Sequence, residues 1–146
     1  MGSFKTVLNN IVSELQNNAT LKAFCASRWN KPLTVKAVFR KRTEVSLQEF
    51  PIILVTRPSV VKNFLTNTNR NTLNTLRLYL LFHQPDPLKG AEELIEAEEI
   101  LDDALTIPDP ETLGAMSIKP GASINDEGAN HPEYGLVLEV EVKHRR

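Results

Sequence analysis

Apolar positions at helical spacing open the chain and predict an amphipathic helix over residues 3–17. The positions of its apolar stripe recur three and four residues apart: Phe4, Val7, Leu8, Ile11, Val12 and Leu15. Ser3 is suited to cap the first turn, because a serine oxygen accepts hydrogen bonds from free backbone N–H groups there. A second, shorter helix is expected from Leu21 to about Ser27, and Pro32 closes this region.

The pattern then changes to the alternation of apolar and polar residues that is typical of strands. Residues 33–39 ("LTVKAVF"), 50–57 ("FPIILVTR") and 75–84 ("TLRLYLLFHQ") are predicted strands. The last strand begins at Tyr134, and its inward positions are predicted to be Leu136, Leu138, Val140 and Val142. Such regular alternation indicates a sheet that is covered on one face only.

A long helix is predicted from Leu88 to about Thr106. Its apolar seam comprises Leu94, Leu101 and Leu105, with Ala91, Ala97 and Ala104 beside it. Residues 115–125 form a weaker strand or an irregular connection. The predicted order is α-β-β-β-α-β-β, a mainly antiparallel sheet with helices packed on one face. We therefore expect an α+β fold and a single domain over residues 1–146.

The stretch between the second and third strands is rich in Asn and Thr and poor in apolar residues, so it cannot form a core of its own. We expect a long β-hairpin with a projecting loop from about Lys62 to Asn74. Long loops inside compact domains are usually functional or disordered. The candidate loop positions are Lys62, Asn63, Asn67, Asn69, Arg70 and Asn71.

Composition narrows the function classes. The chain is 41% hydrophobic and 24% charged, with a formal net charge of −1, which does not favour attraction of the whole molecule to nucleic acid or anionic lipid. It contains no apolar run of the roughly 18 residues that a membrane span needs, so no membrane partner is expected. The lone Cys25 excludes an intrachain disulfide and is expected to be a small buried residue.

Four carboxylates of the long helix share one face, because Glu92, Glu96, Glu99 and Asp103 follow a four-three-four spacing. A metal site would need histidine partners, and the three histidines are far apart in sequence. The chain also has no hydrolase or nucleotide-binding motif. No catalytic residue, metal ligand or cofactor is therefore predicted.

The order of these patterns resembles a known family. The run "EFPIILV" (49–55), a polar hairpin, the strand "NTLRLYLLFH" (74–83), one long helix and the ending "LVLEVEVKHRR" (136–146) follow one another. This arrangement is similar to the tail-terminator, or tail-completion, proteins of long-tailed bacteriophages and their prophage relatives. The resemblance covers nearly the whole chain, but it rests on the order of patterns and not on a diagnostic motif.

The resemblance implies a non-enzymatic assembly protein. Members of that family form a hexameric ring that caps the tail tube, stops polymerisation of the tube protein and presents a surface to the head–neck connector protein. DNA passes through the ring without specific binding. The expected location is the head-proximal end of the virion tail, and the host cytoplasm during assembly.

A closed ring needs two different complementary patches on each subunit. One candidate patch is the acidic helix face, and the other is a basic set comprising Arg40, Lys41, Arg42 and Arg57. Alternatively, the acidic helix lines the channel and repels DNA phosphates, or it only meets water. Two other functions stay open. One is another neck or head-completion protein, and the other is a small α+β enzyme or ligand-binding domain around His83 and His131.

Overall fold

The computed structural model describes residues 3–64 and 70–145, with the backbone alone at 63, 64 and 70. Its helices and strands, in chain order, are α1 (Phe4–Asn17), α2 (Ala19–Trp29), β1 (Thr34–Lys36), β2 (Ile52–Phe64), β3 (Arg70–His83), α3 (Pro87–Thr106), β4 (Ser117–Asn125) and β5 (Glu133–Arg145). The sheet order is β1-β2-β3-β5-β4. Only the β1–β2 pair among these is parallel, so the predicted α+β class and mainly antiparallel sheet are confirmed.

Side-chain caps determine where the first two helices begin. The Ser3 hydroxyl accepts a hydrogen bond from the Lys5 backbone N–H at 3.1 Å, as predicted. Asn18 follows α1 directly, and its Oδ1 accepts from the Leu21 N–H at 2.9 Å. Because Asn18 provides this cap, α2 begins two residues earlier than the sequence pattern predicts, and it ends at Trp29.

The main core lies between the helices and one face of the sheet. The predicted inward positions of β5 are confirmed as buried: Leu136, Leu138, Val140 and Val142. Four side chains of β3 lie in the same core: Leu76, Leu78, Leu80 and Phe82. Phe82 stacks between Trp29 and Tyr134, with ring centroids 4.5 Å and 5.4 Å away. These rings join α2, β3 and β5 at one end of the core.

The connection between β1 and β2 covers part of the opposite sheet face. The predicted strand over 33–39 is too long, since β1 stops at Lys36 and Phe39 is 67% exposed. The chain then makes two short 3₁₀ turns, Arg42–Glu44 and Leu47–Glu49. A second cluster forms below them from Val45, Phe50, Ile52, Leu54 and Leu81. The expectation that only one face is covered is therefore wrong at this end of the sheet.

The backbone pairing of β2 with β3 extends closer to the hairpin tip than the polar composition of this stretch suggests. Lys62 pairs with Thr72, Asn63 with Asn71, and Phe64 with Arg70, so the predicted loop bounds of Lys62 and Asn74 lie too far from the tip. Ladder hydrogen bonds come from the backbone and do not require apolar side chains. Of the candidate loop positions, Lys62, Asn63, Arg70 and Asn71 thus belong to strands. Asn67 and Asn69 lie outside the described residues, and projection of the tip stays a prediction.

Candidate functional site

The acidic face of α3 is mostly exposed. Asp86 caps the helix by accepting from the Leu88 and Lys89 N–H groups, at 3.0 and 3.4 Å. Three of the four predicted carboxylates are exposed on this face: Glu92, Glu99 and Asp103. Burial raises the pKa of Glu98, and the nearby charges of Asp102 and Glu99 raise it further, so negative charge is dense here. We call the three exposed residues the acidic face.

Glu96 differs from the other predicted acids, because it has a partner in its own chain. Its Oε2 lies 2.6 Å from Arg28 Nη2 on α2, and both side chains are more than a third exposed. Such surface pairs contribute between zero and about 1 kcal/mol. The sequence places Glu96 in the acidic row correctly, but the structure connects it to α2.

Glu93 is a buried carboxylate that the sequence analysis did not single out. It is 1% exposed and accepts hydrogen bonds from Trp29 Nε1 and Gln84 Nε2, both at 2.9 Å. Glu93 lies four residues before the buried Ala97 and eight before Leu101, so its position on the seam was a signal of burial. Ala91, by contrast, was predicted beside the seam and is exposed.

The predicted basic segment is largely neutralised within the chain. Arg40 donates to both carboxylate oxygens of Glu49, at 2.6 and 3.0 Å. The bond from Arg40, and then that from the Ser46 backbone, lower the pKa of Glu49 to about 2. Arg42 Nη1 lies 2.8 Å from Asp126 Oδ2. Lys41 is exposed, and it forms no ion pair among the described residues.

The Arg42–Asp126 pair anchors the β1–β2 connection to the segment that directly follows β4. Burial favours a higher pKa for Asp126, but hydrogen bonds from Arg42 and from the Gly128 and Gly135 N–H groups outweigh it and lower that pKa. Gly135 has no side chain, and a Cβ there would lie 2.8 Å from Arg42 Nη1. Arg42 Nε and Nη2 are buried without a hydrogen-bond partner among the described residues. This arginine is thus packed into the fold.

Arg57 has a different environment from Arg40 and Arg42. Its guanidinium carbon lies 5.2 Å from the centroid of the Phe4 ring, and its Nη1 donates to Asn74 Oδ1 at 3.2 Å. It contributes to a cavity of about 330 Å³ between the start of α1 and the base of the hairpin, together with Lys5 and Lys62. No Asp or Glu is among the described residues that line this cavity, which we call the basic pocket.

Buried polar groups form the floor of the basic pocket. Asn74 Nδ2 donates to Thr72 Oγ1 at 3.0 Å and to the Val142 carbonyl at 3.2 Å. Asn74, Thr72 and His144 are 0%, 6% and 2% exposed. Buried amides and hydroxyls that are hydrogen-bonded in this way hold a fixed geometry. The sequence suggested Arg57 as a contact residue and Lys62 as a loop residue, but it gave no signal that Lys5 joins them.

The histidines do not form a common site. His131 Nδ1 lies 2.7 Å from the Tyr134 hydroxyl, and His83 is paired across the ladder with Glu133. Within residues 3–64 and 70–145, no three His, Cys, Asp or Glu side chains are grouped as a metal site requires.

Cys25 is 1% exposed, and burial raises its pKa to about 12, which fits the predicted buried residue. In the same ranges, no helix combines the length and apolar character of a membrane span.

Comparison with known proteins gives a likeness of fold. No protein-family model and no curated protein matches the sequence. The fold is similar to that of a chain in a solved structure described as "Virion of native gene transfer agent (GTA) particle". The TM-score is 0.57 at 10% sequence identity, and the match covers 93% of this chain and 92% of that chain. The likeness therefore extends over nearly the whole of both chains.

Proposed function

We propose that this protein is a structural subunit of a phage-like virion, and specifically a tail terminator. In this role a hexameric ring of the chain caps the tail tube, stops tube polymerisation and presents a surface to the head–neck connector protein. The observation that carries the proposal is the whole-chain likeness to a virion chain. The resemblance in pattern order to phage tail terminators also supports it.

The arrangement of charge supports assembly with identical subunits. A ring requires two different patches that are complementary to each other. The acidic face lies on α3, while the basic pocket lies at the start of α1 and the hairpin base. Electrostatic complementarity of this kind sets register and encounter rate. The proposed role is non-enzymatic, without cofactor or membrane, and DNA passes through the ring without specific contacts.

Electron microscopy of tails tests the proposed location. Purified protein carrying a small C-terminal label is mixed with tail tubes of the same virus, assembled in the absence of this protein. We expect ring density at the head-proximal end and no further elongation when fresh tube protein is added. Tubes without this protein, which should continue to elongate, are the control.

Two results would contradict the proposal. Density along the tube or at its distal end would exclude a terminator, and continued elongation of labelled tubes would exclude a capping role. Density on the connector alone would instead indicate another neck or head-completion protein. That second candidate is kept because the similar chain belongs to a whole virion particle.

A further inference from the structure

We propose that the basic pocket receives carboxylates of the acidic face of α3 from a second copy of this chain. The contact would be the heterologous contact of the ring, so the inference rests on the proposed function. Of the basic set that the sequence suggested as the partner of the acidic helix, it keeps Arg57 and leaves out Arg40, Lys41 and Arg42. Three observations carry it: the free cations of the pocket, the fixed position of Arg57, and the complementary charge on α3.

The first observation is that the cations of the pocket have no acidic partner among the described residues. The ion pairs among the described residues are Arg28–Glu96, Arg40–Glu49, Arg42–Asp126 and Arg77–Glu139. None of them includes Lys5, Arg57 or Lys62, and no described acid lines the pocket. Since Lys5 and Lys62 are exposed as well, the positive charge of this patch is available to another molecule.

The second observation is that Arg57 is held in place before any partner binds. The Asn74 amide accepts from one of its N–H groups, and the Phe4 ring lies 5.2 Å from its guanidinium carbon. Phe4 is itself in edge contact with His144, with ring centroids 5.8 Å apart. A guanidinium has five N–H donors, so one bond to Asn74 leaves donors for a carboxylate. A preorganised arginine loses little entropy when it forms such bonds.

The third observation is the complementary surface on α3. Glu92, Glu99 and Asp103 are exposed, and none of them has an ion pair among the described residues. Glu99 and Asp103 are one turn apart, roughly 6 Å along the helix axis. Two carboxylates at that separation suit a pocket with several cations.

A second copy fits the pocket better than nucleic acid does. Attraction to a phosphate backbone grows with the number of phosphates that cations neutralise. The pocket offers three cations, and the chain carries a net charge of −1. The acidic face, in contrast, is carried by every copy of this chain. Wherever copies assemble, each pocket therefore has one acidic face available to it. Phosphate binding is therefore the competing result that the experiment must detect.

Charge reversal on both surfaces tests the contact. The pocket variant combines Arg57→Glu with Lys62→Glu, and the helix variant combines Glu99→Lys with Asp103→Lys. We expect each variant to assemble at least about tenfold more weakly than the wild type. A chain with all four changes should recover assembly, because the two surfaces remain complementary. Sedimentation velocity in solution, and capping of tail tubes, measure assembly.

Two further variants control for folding and for net charge. Lys5→Glu with Lys62→Glu changes only exposed side chains, and an acid in the first turn of α1 suits the helix dipole. It should weaken assembly as the pocket variant does, even if Arg57→Glu disturbs Phe4 packing. Lys31→Glu with Lys36→Glu makes the same change in net charge at exposed positions outside the pocket and should assemble as the wild type does. Far-UV circular dichroism checks the folding of each variant.

The outcomes separate this inference from the proposed function. A wild-type chain that forms no ring in solution or on tubes contradicts both. A wild-type ring that survives both charge reversals overturns the inference and leaves the ring intact. Loss of assembly without recovery in the fourfold variant also overturns it. So does a pocket variant that loses affinity for a short DNA duplex yet assembles normally, because the pocket would then bind phosphate.

Discussion

At the scale of single residues, the Arg40–Glu49 pair stabilises the two 3₁₀ turns of the β1–β2 connection. Arg40 also donates to the Glu44 carbonyl at 2.7 Å, and Glu49 Oε2 accepts from the Ser46 N–H at 2.8 Å. One carboxylate thereby organises both turns. These turns place Val45 and Phe50 in the second cluster. The Arg40–Glu49 pair therefore helps to keep these two apolar side chains buried.

The depressed pKa of Glu49 predicts acid sensitivity. A carboxyl with a pKa of about 2 when folded and 4.5 when unfolded contributes stability above the unfolded value. This contribution is lost as the pH falls through that range, because the unfolded state then binds more protons. We expect Glu49→Gln to lower the free energy of unfolding at neutral pH, and the difference from wild type to shrink between about pH 4.5 and pH 2. Urea unfolding across that range measures it.

Glu111→Gln is the matched control for that experiment. Glu111 is an exposed carboxylate of a third 3₁₀ turn, Pro110–Leu113, and it belongs to no ion pair among the described residues. Its replacement should change the pH dependence little. If Glu49→Gln and wild type kept a constant difference down to the lowest pH, the ion pair would not be the cause of the acid sensitivity.

At the scale of elements, Glu93 determines how α3 docks. Its carboxylate connects α3 to Trp29 of α2 and to Gln84, which follows β3. Gln84 Nε2 also approaches Glu93 Oε2 at 3.1 Å. A buried carboxylate with hydrogen-bond donors on two sides fixes the rotation of the helix, because any turn of α3 would leave these donors unpaired.

Replacement of Glu93 by Ala should therefore be strongly destabilising. It leaves the buried Gln84 amide and the partly buried Trp29 N–H without their acceptor, and a buried donor without a partner costs about 1–3 kcal/mol. Glu93→Gln keeps one acceptor oxygen and should cost less. The exposed neighbour Glu92→Ala should change stability by less than about 0.5 kcal/mol. Trp29 is the chain's one tryptophan, so its fluorescence follows urea unfolding directly beside the substituted group. Equal losses for Glu92→Ala and Glu93→Ala would contradict this role.

Sequence patterns predicted those helices and strands in which the spacing of buried apolar side chains determines the secondary structure. The alternation in β3 and β5 and the seam of α3 were recovered because apolar burial sets the period. The cover that the β1–β2 connection gives to the second sheet face was not predicted, since its 3₁₀ turns depend on contacts in space between Arg40, Glu49 and Ser46. The paired base of the hairpin was missed because backbone hydrogen bonds, and not apolar side chains, hold it together.

The candidate site was predictable only in part for the same reason. A helical spacing identifies an acidic row, but it does not reveal that Arg28 pairs with Glu96 from 68 positions away. Likewise, the charges of Arg40 and Arg42 were visible, whereas their acidic partners were not. Lys5 and Arg57 are brought together by the packing of α1 on the hairpin base. A local sequence pattern does not reveal such a contact between distant segments.

At the scale of the whole molecule, the charged surface divides into groups that form ion pairs within the chain and groups that we propose for assembly. The four ion pairs among the described residues belong to the first class. The acidic face and the basic pocket belong to the second. The acidic face comprises three carboxylates and the basic pocket three cations, so the contact that we propose would join equal and opposite charges.

Two single substitutions on α3 distinguish a carboxylate that forms an ion pair within the chain from one that we propose for assembly. Glu96→Gln removes the partner of Arg28, so it should lower the free energy of unfolding by up to about 1 kcal/mol and leave assembly unchanged. Glu99→Gln, three residues later, removes an exposed charge without an ion pair among the described residues. It should leave stability unchanged and weaken assembly. Urea unfolding and sedimentation velocity on both variants measure the two effects. If the variants weakened assembly equally, the whole acidic row would act as one interface and the division made here would be wrong.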